Sequence, residues 1–174
     1  IQEFVLAADE DMRFFNDSEM SRIETALAST GSADGAKIRR VAARIMRDFQ
    51  GTILEGAQER LAELQPELVK EGGMLYPPNR AQAFWEELKH LLRLAHYATA
   101  IGTREYTRSR DVTAFREMLS QIDIPRALVV ESLQAMQLRA GYLCSRCAKE
   151  SPESWVASFS SLQHLIDGMN HTVS

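Results

Sequence analysis

The sequence predicts an all-α fold, and three observations lead to that prediction. Apolar residues recur every three or four positions along almost all of the 174 residues. No segment of useful length alternates apolar and polar residues with the period of two that strands show. A composition of 45% apolar and 25% charged residues suits a single compact domain. We therefore expect about eight helices, no strands and no tandem repeat.

Residues 1–30 predict a pair of helices. The apolar stripe of the first helix is Phe4, Val5, Ala8, Met12 and Phe15. Residues 16–18 offer side-chain acceptors that end this helix and cap a second one. The small and turn-forming residues 29–35 predict a hinge between the pair and the rest of the chain.

The middle of the chain predicts three helices. Two of them cover residues 37–64 and meet near Gly51, because glycine weakens a helix interior by roughly 1 kcal/mol relative to alanine. Three prolines and two glycines make residues 65–79 an ordered loop. The strongest helical pattern follows at residues 80–101, and Gly102 ends it.

The C-terminal part predicts three more helices. One covers residues 112–122, and Asp123 caps another that begins near Ile124. The last begins at Ser151 and carries Trp155 and Phe159 on its apolar face.

Composition and charge exclude several classes of function. A net charge of −4 and a pI near 5.6 argue against a general nucleic-acid binder. Two cysteines cannot form a disulfide scaffold, and no run of 18 apolar residues predicts a transmembrane segment. No catalytic triad, phosphate-binding glycine loop or supported pair of carboxylates is present. We expect a soluble intracellular protein that is not an enzyme and has no metal site.

Several motifs, in a shared order, resemble the phycobiliprotein family, the α and β chains of allophycocyanin and phycocyanin. Residues 7–20 resemble the run that opens that family's N-terminal helices, and residues 72–76 resemble its GGNxY loop. Further similar segments are residues 88–97, 124–136 and 160–166. The resemblance implies one domain over residues 1–174, with a globin-like core at 31–174 and a helical pair at 1–30 for subunit association. Residues 76–80 are nearer to β-type chains.

The sequence departs from that family where pigmented members carry a linear tetrapyrrole. Phe84 occupies the position of the cysteine that forms the thioether, and a phenyl ring cannot form that bond. Glu86 replaces the arginine that neutralises a propionate, and Glu87 keeps a carboxylate on a longer side chain. Met74 replaces the asparagine of the loop.

We therefore predict no covalent cofactor. The pocket either fills with Phe84 and Trp85 or holds a linear tetrapyrrole noncovalently, and filling is the leading expectation because a residual cavity costs about 24 cal/mol per Å³. Arg80, Phe84 and Glu87 are the candidates for a vestigial or noncovalent pocket.

Two other sets of residues have a chemical interpretation and a structural one. Cys144 and Cys147 suit a redox pair or half a metal site, but their place at the end of a helix disfavours thiolate. His90 and His96 are six residues apart and do not share a face, so we expect solvated or hydrogen-bonded histidines rather than haem or metal ligands.

Charge differs between the N-terminal helices and the middle of the chain. Residues 1–28 are acidic and residues 37–60 carry a basic excess, which predicts attraction between chains or ordinary solvated faces. The resemblance implies docking to allophycocyanin-like chains, or to a second copy, at a phycobilisome in the cytoplasm on the thylakoid surface. The predicted partner-binding residues are Phe4, Val5, Asp9, Asp11, Met12 and Phe15. The predicted function is a bilin-free structural, assembly or regulatory component, and the alternative is a noncovalent bilin protein that harvests, quenches or senses light.

Overall fold

A computed structural model describes residues 1–104, 109–147 and 160–170, and this part of the chain is helical without strands. The all-α prediction is confirmed. In chain order the helices are α1 (Gln2–Glu10), α2 (Asp17–Thr30), α3 (Ala33–Asp48), α4 (Gln50–Leu64), α5 (Pro78–Ile101), α6 (Ser109–Gln121), α7 (Arg126–Cys147) and α8 (Ser160–Asn170).

Helix α1 is shorter than the sequence predicts. It ends at Glu10, and Met12 adopts a left-handed φ of +50°. The N–H of Met12 donates to the carbonyl of Asp9 and the N–H of Arg13 to that of Ala8, each at 2.9 Å. These two bonds are the Schellman pattern that terminates helices. The predicted continuation of the α1 stripe through Met12 and Phe15 is therefore wrong, because both residues follow the helix.

Helix α2 begins where the sequence predicts. The Asn16 side chain accepts a hydrogen bond from the N–H of Glu19 at 2.9 Å, and the Glu19 carboxylate accepts one from the N–H of Asn16 at 2.8 Å. This reciprocal capping box satisfies two donors that the first helical turn leaves unpaired. The predicted hinge at 29–35 is wrong in extent, since only Gly31 and Ser32 separate α2 from α3 and Ser32 caps α3.

The central helices agree closely with the prediction. Helices α3 and α4 meet at Phe49, two residues before Gly51. In the ordered loop that follows, a Cβ at Gly73 would collide with the backbone carbonyl oxygens of Glu67 and Leu68. Pro78 opens α5, and Gly102, with a φ of +76°, ends it.

The C-terminal predictions are confirmed in part. Helix α6 begins at Ser109, three residues before the predicted start, and Asp123 lies in the turn after it with a φ of +52°. The predicted start of the last helix at Ser151, with Trp155 and Phe159, lies outside the described residues. Helix α8 covers the end of that prediction and packs against α7.

Helix α5 separates two apolar clusters. The main core contains Leu88 and Leu92 of α5 together with Leu133 and Met136 of α7 and residues of α3, α4 and α8. A smaller cluster lies on the other side of α5, where Tyr97 packs with residues of α1, α2 and α3. The N-terminal helices thus pack on their own chain. No helix in the described ranges has the length and apolar character needed to span a membrane.

Candidate functional site

An apolar groove lies beside the first half of α5. It has a volume of about 370 Å³ and is lined by α5, α6 and the start of α7. The α5 residues on its wall are Arg80, Ala83, Phe84, Glu87 and Leu88. All three predicted pocket candidates therefore border the same groove.

Phe84 forms one wall of the groove and does not fill it. Its side chain is 4% exposed and packs edge-on against Trp85, with ring centroids 5.1 Å apart. The groove stays open beside Phe84, and Ala83 also lines it. The expectation that Phe84 and Trp85 close the site is therefore wrong.

Arg80 connects the start of α5 to the turn between α6 and α7. Its Nη2 donates to the carbonyl oxygens of Ile122 and Asp123, the latter at 3.1 Å. Its Nε is buried and has no acceptor among the described residues. The guanidinium thus stands at the rim of the groove with one donor group already committed to the backbone.

Glu87 lies between the groove and a second cavity of about 210 Å³. His90 and Asp111 also line this second cavity, with Leu165 and Met169 of α8 opposite. Glu87 is exposed and lines the groove, so the α5 side carries one negative charge besides the positive charge of Arg80. An anionic ligand in the groove would be repelled by the Glu87 carboxylate and attracted by the Arg80 guanidinium.

The second half of α5 holds the segment that follows α1. The N–H of Phe15 donates to Nε2 of His96 at 3.0 Å, so that nitrogen is the acceptor and Nδ1 carries the proton that it donates to the carbonyl of Ala43 at 2.9 Å. Burial lowers the pKa of His96 from its ordinary 6.5 to about 4. The prediction of a hydrogen-bonded histidine is confirmed for His96, and the same two bonds exclude it as a haem ligand in this fold.

The predicted partner-binding residues divide into buried and exposed ones. Phe15 is fully buried against His96 and Tyr97, so its assignment to a docking surface is wrong. Met12 is 74% exposed. Phe4 is half-buried beneath the Arg22 guanidinium, 4.6 Å from its ring centroid.

The remaining members of that set are a half-buried valine and two aspartates. Val5 packs against the smaller cluster. Asp9 pairs with the buried Arg93 at 3.3 Å, and Asp11 pairs with Arg13 at 3.1 Å. The exposed part of the predicted docking surface therefore centres on Met12 and its flanking carboxylates.

A family model described as "Phycobilisome protein" matches residues 3–169. The chain belongs to the phycobilisome protein family. Allophycocyanin subunit beta-18 from Pyropia yezoensis is 29% identical over 125 residues, which cover 72% of this chain and 70% of that protein. The allophycocyanin alpha chain of Cyanophora paradoxa is 25% identical over 152 residues, 87% of this chain and 91% of the relative. The similarity thus extends to both α and β chains.

A solved structure confirms the fold of this phycobilisome protein. It is a far-red fluorescent biliprotein derived from a far-red induced allophycocyanin F subunit of Chroococcidiopsis thermalis. The two superpose with a TM-score of 0.68 at 19% identity, over 79% of this chain and 99% of the other. The globin-like architecture implied by the sequence resemblance is thereby confirmed.

The predicted attraction between acidic and basic segments operates within this phycobilisome protein. Arg40 of α3 pairs with Glu24 of α2 at 2.6 Å, and Arg47 pairs with Asp17 at 3.0 Å. Arg47 also donates to the carbonyl of Phe15 at 3.2 Å. These two arginines therefore join the N-terminal part of the chain to α3, and the predicted attraction between chains stays a prediction.

The histidine and cysteine candidates form no metal centre in the described residues, where no three His, Cys, Asp or Glu side chains are placed to share an ion. Nδ1 of His90 lies 2.7 Å from Nη2 of Arg93. Cys144 and Cys147 lie near the C-terminal end of α7 as described, where the sequence placed them, and Cys144 is buried.

Sequence reasoning missed the contribution of α6 to the groove. The pattern that places Phe115, Met118 and Leu119 on an apolar stripe is equally typical of a helix that faces the core. Met118 is 36% exposed and Ile122 45% exposed, and both line the groove. The signal in the sequence is the apolar Ile122, which continues the stripe one residue beyond the end of α6.

Proposed function

We propose that this phycobilisome protein is a bilin-free component that docks to phycobiliprotein chains in a structural, assembly or regulatory role. The observation that carries the proposal is the buried phenyl ring of Phe84 at the position where the family resemblance expects a thioether-forming cysteine. A carbon ring offers no sulfur to attach a pigment. The protein would act at the phycobilisome on the cytoplasmic thylakoid surface.

The size and charge of the groove support the same conclusion. Its volume of about 370 Å³ is near the lower end of the range of about 300–1,000 Å³ for small-molecule pockets. A linear tetrapyrrole is among the larger ligands of such pockets, so much of its surface would remain in water if it bound in this groove. The exposed Glu87, which lines the groove, would also repel the carboxylates of such a ligand.

The docking surface that we propose is the exposed turn after α1. Met12 projects into solvent there, and Asp9 and Asp11 flank it. The left-handed backbone of Met12 is held by the two Schellman hydrogen bonds, so the position of its side chain is constrained at the backbone. Preorganised apolar contacts with a charged rim are typical of specific protein surfaces.

Expression in a bilin-producing host tests the absence of pigment. We expect the purified chain to lack visible absorbance and zinc-induced fluorescence under denaturing conditions. A pigment that stays on the chain in acidic urea would contradict the proposal.

Replacement of Met12 tests the docking surface. Met12→Asp should weaken binding of an allophycocyanin chain by about tenfold or more, since a buried charge replaces an apolar contact. Aspartate tolerates the left-handed backbone, so the variant should keep its fold. Val69→Asp is the matched control, because Val69 is 58% exposed in the loop after α4. Equal binding by the two variants would refute the role of Met12.

A second candidate function, noncovalent binding of a linear tetrapyrrole, is supported by the open groove and by the Arg80 guanidinium at its rim. Absorbance that copurifies with the folded chain and is lost in acidic urea would favour this candidate. Ala83→Phe should then abolish the absorbance, because the added ring occupies the open part of the groove.

A further inference from the structure

The groove beside α5 has a cationic end and an anionic end. Arg80 lies at the first, where its guanidinium donates to the carbonyl oxygens of Ile122 and Asp123 after α6. Glu87 and Phe115 lie at the other end, because both also line the second cavity. Helices α5 and α6 therefore run in opposite directions along the groove, which gives a bound ligand a defined orientation.

The length of the groove follows from helix geometry. Seven residues separate Arg80 from Glu87 on α5, and seven separate Phe115 from Ile122 on α6. An α-helix rises about 1.5 Å per residue, so each wall extends about 10.5 Å. An extended chain advances about 1.2 Å per bond, so about eight to ten carbons reach from one end to the other.

The surface between the two ends is apolar. Apart from the arginine and the glutamate, every described residue that lines the groove is apolar. Helix α5 contributes Ala83, Phe84 and Leu88, and α6 contributes Met118 and Leu119. Water on such a surface forms few hydrogen bonds with the protein, so an apolar chain that displaces it gains free energy.

The Arg80 guanidinium keeps donors for a ligand. Its Nη2 donates to the two backbone carbonyls, whereas Nη1 donates to no atom of the described residues. The residue is half-buried, and its Nε is buried without an acceptor. A carboxylate at this end of the groove would form a charge-assisted hydrogen bond with Nη1.

The charges at the two ends favour a ligand with a single carboxylate. A carboxylate beside Arg80 stands about 10.5 Å along the helix from Glu87, more than the Debye length of about 8 Å at physiological ionic strength, so the repulsion is weak. A second carboxylate at the far end would meet Glu87 at short range. Because Glu87 is exposed, it stays hydrated beside an apolar tail.

We propose that the groove binds a medium-chain monocarboxylate of about eight to ten carbons. Its carboxylate pairs with Arg80, and its alkyl chain lies along Phe84 and Met118. Such a ligand matches the length of the groove, whereas a linear tetrapyrrole would leave much of its surface in water. This inference goes beyond the proposed docking function and does not depend on it.

A chain-length series measured by isothermal titration calorimetry tests the proposal. The probes are hexanoate, octanoate, decanoate and dodecanoate below their micelle concentrations, with decyltrimethylammonium as a cation of the same chain length as decanoate. Up to decanoate, each added methylene should tighten binding about threefold to fourfold. Dodecanoate should gain less, because Glu87 and Phe115 separate the groove from the second cavity. Decanoate should bind with a dissociation constant of about 100 µM or tighter, at least about tenfold tighter than the cation.

Single substitutions test the two ends of the groove. Arg80→Met should weaken decanoate binding about tenfold without weakening that of the cation, a difference that partial unfolding would not produce, and Arg80→Lys should recover part of the affinity. Glu87→Gln should tighten decanoate binding about twofold. Glu86→Gln is the matched control and should change nothing, because Glu86 is exposed on the same helix but does not line the groove. Ala83→Phe should remove binding of every probe while circular dichroism stays at the wild-type level.

Three results would overturn the proposal. The first is the absence of saturable binding up to about 1 mM decanoate. The second is equal affinity of wild type for decanoate and the cation. The third is displacement of decanoate by tighter binding of the linear tetrapyrrole biliverdin, which would assign the groove to the second candidate function. A chain that binds an allophycocyanin chain but not decanoate would overturn this inference alone.

Discussion

Acidification should remove a defined part of the stability of this protein through His96. The residue is fully buried, and both ring nitrogens are hydrogen-bonded in the neutral form. Protonation would place a proton on Nε2, where the N–H of Phe15 now donates. The folded state therefore disfavours the charged ring, which lowers the pKa of His96 to about 4.

The sign and magnitude follow from linkage. Below the ordinary pKa of 6.5, His96 binds a proton in the unfolded chain but stays neutral in the folded chain. The free energy of unfolding therefore falls as the pH falls, until the folded pKa of about 4 is reached. Between about pH 7 and about pH 4.5 the two pKa values correspond to a loss of about 2 kcal/mol.

His96→Gln isolates this contribution. Glutamine keeps one acceptor and one donor but does not titrate, so the variant should be less stable at pH 7 by about 1–3 kcal/mol through imperfect hydrogen bonds. Its deficit relative to wild type should shrink by about 2 kcal/mol at about pH 4.5, since only wild type loses stability by protonation of the ring in the unfolded chain. Urea unfolding followed by tryptophan fluorescence at both pH values measures the two deficits.

Ile53→Val is the control for a nontitrating loss of core packing. Ile53 is fully buried, and the change should cost about 1 kcal/mol at either pH. A His96→Gln deficit that stays constant between the two pH values would refute the assignment of the buried neutral ring.

Two further predictions concern backbone geometry and the rim of the groove. Gly73→Ala should destabilise the fold by about 2 kcal/mol or more, because the added Cβ meets two backbone carbonyl groups. Gly141→Ala in α7 should stabilise the fold by about 1 kcal/mol, because no atom lies within 4 Å of the added Cβ. Equal thermal midpoints for the two variants would contradict this prediction. Arg80→Met should lower the free energy of unfolding by about 1–3 kcal/mol, because the carbonyl oxygens of Ile122 and Asp123 lose a charged donor. Arg80→Lys should recover part of this loss. If Arg80→Met unfolds at the wild-type urea midpoint, the hydrogen bonds from Arg80 to the turn are dispensable.

The helix boundaries that the sequence predicts well are those set by local chemistry. The side-chain acceptor of Asn16 and the glycine at position 102 each act on backbone groups within a few residues. Their effect requires no knowledge of the rest of the fold. A short window of sequence is therefore enough to predict such boundaries.

The end of α1 depends on contacts that are distant in sequence. Met12 takes a left-handed conformation, although neither glycine nor asparagine stands there to signal it. The reversal lets Phe15 reach His96, 81 residues away. Local pattern favours a longer helix, and burial of Phe15 overrides it. The groove could not be predicted from the sequence for a related reason. It depends on the separation of α5 from α6 and not on the apolar stripe of either helix alone.

The groove and the docking surface that we propose are supported by opposite ends of α5. Phe84 borders the groove, and His96, twelve residues later, anchors the segment that presents Met12. Twelve residues rise about 18 Å along a helix, beyond the distance of about 7–10 Å within which substitutions usually couple. A substitution at position 84 can therefore change what the groove holds while the N-terminal anchor keeps its geometry. Since the docking surface that we propose draws on the far end of α5, a phenyl ring at position 84 is compatible with that proposal.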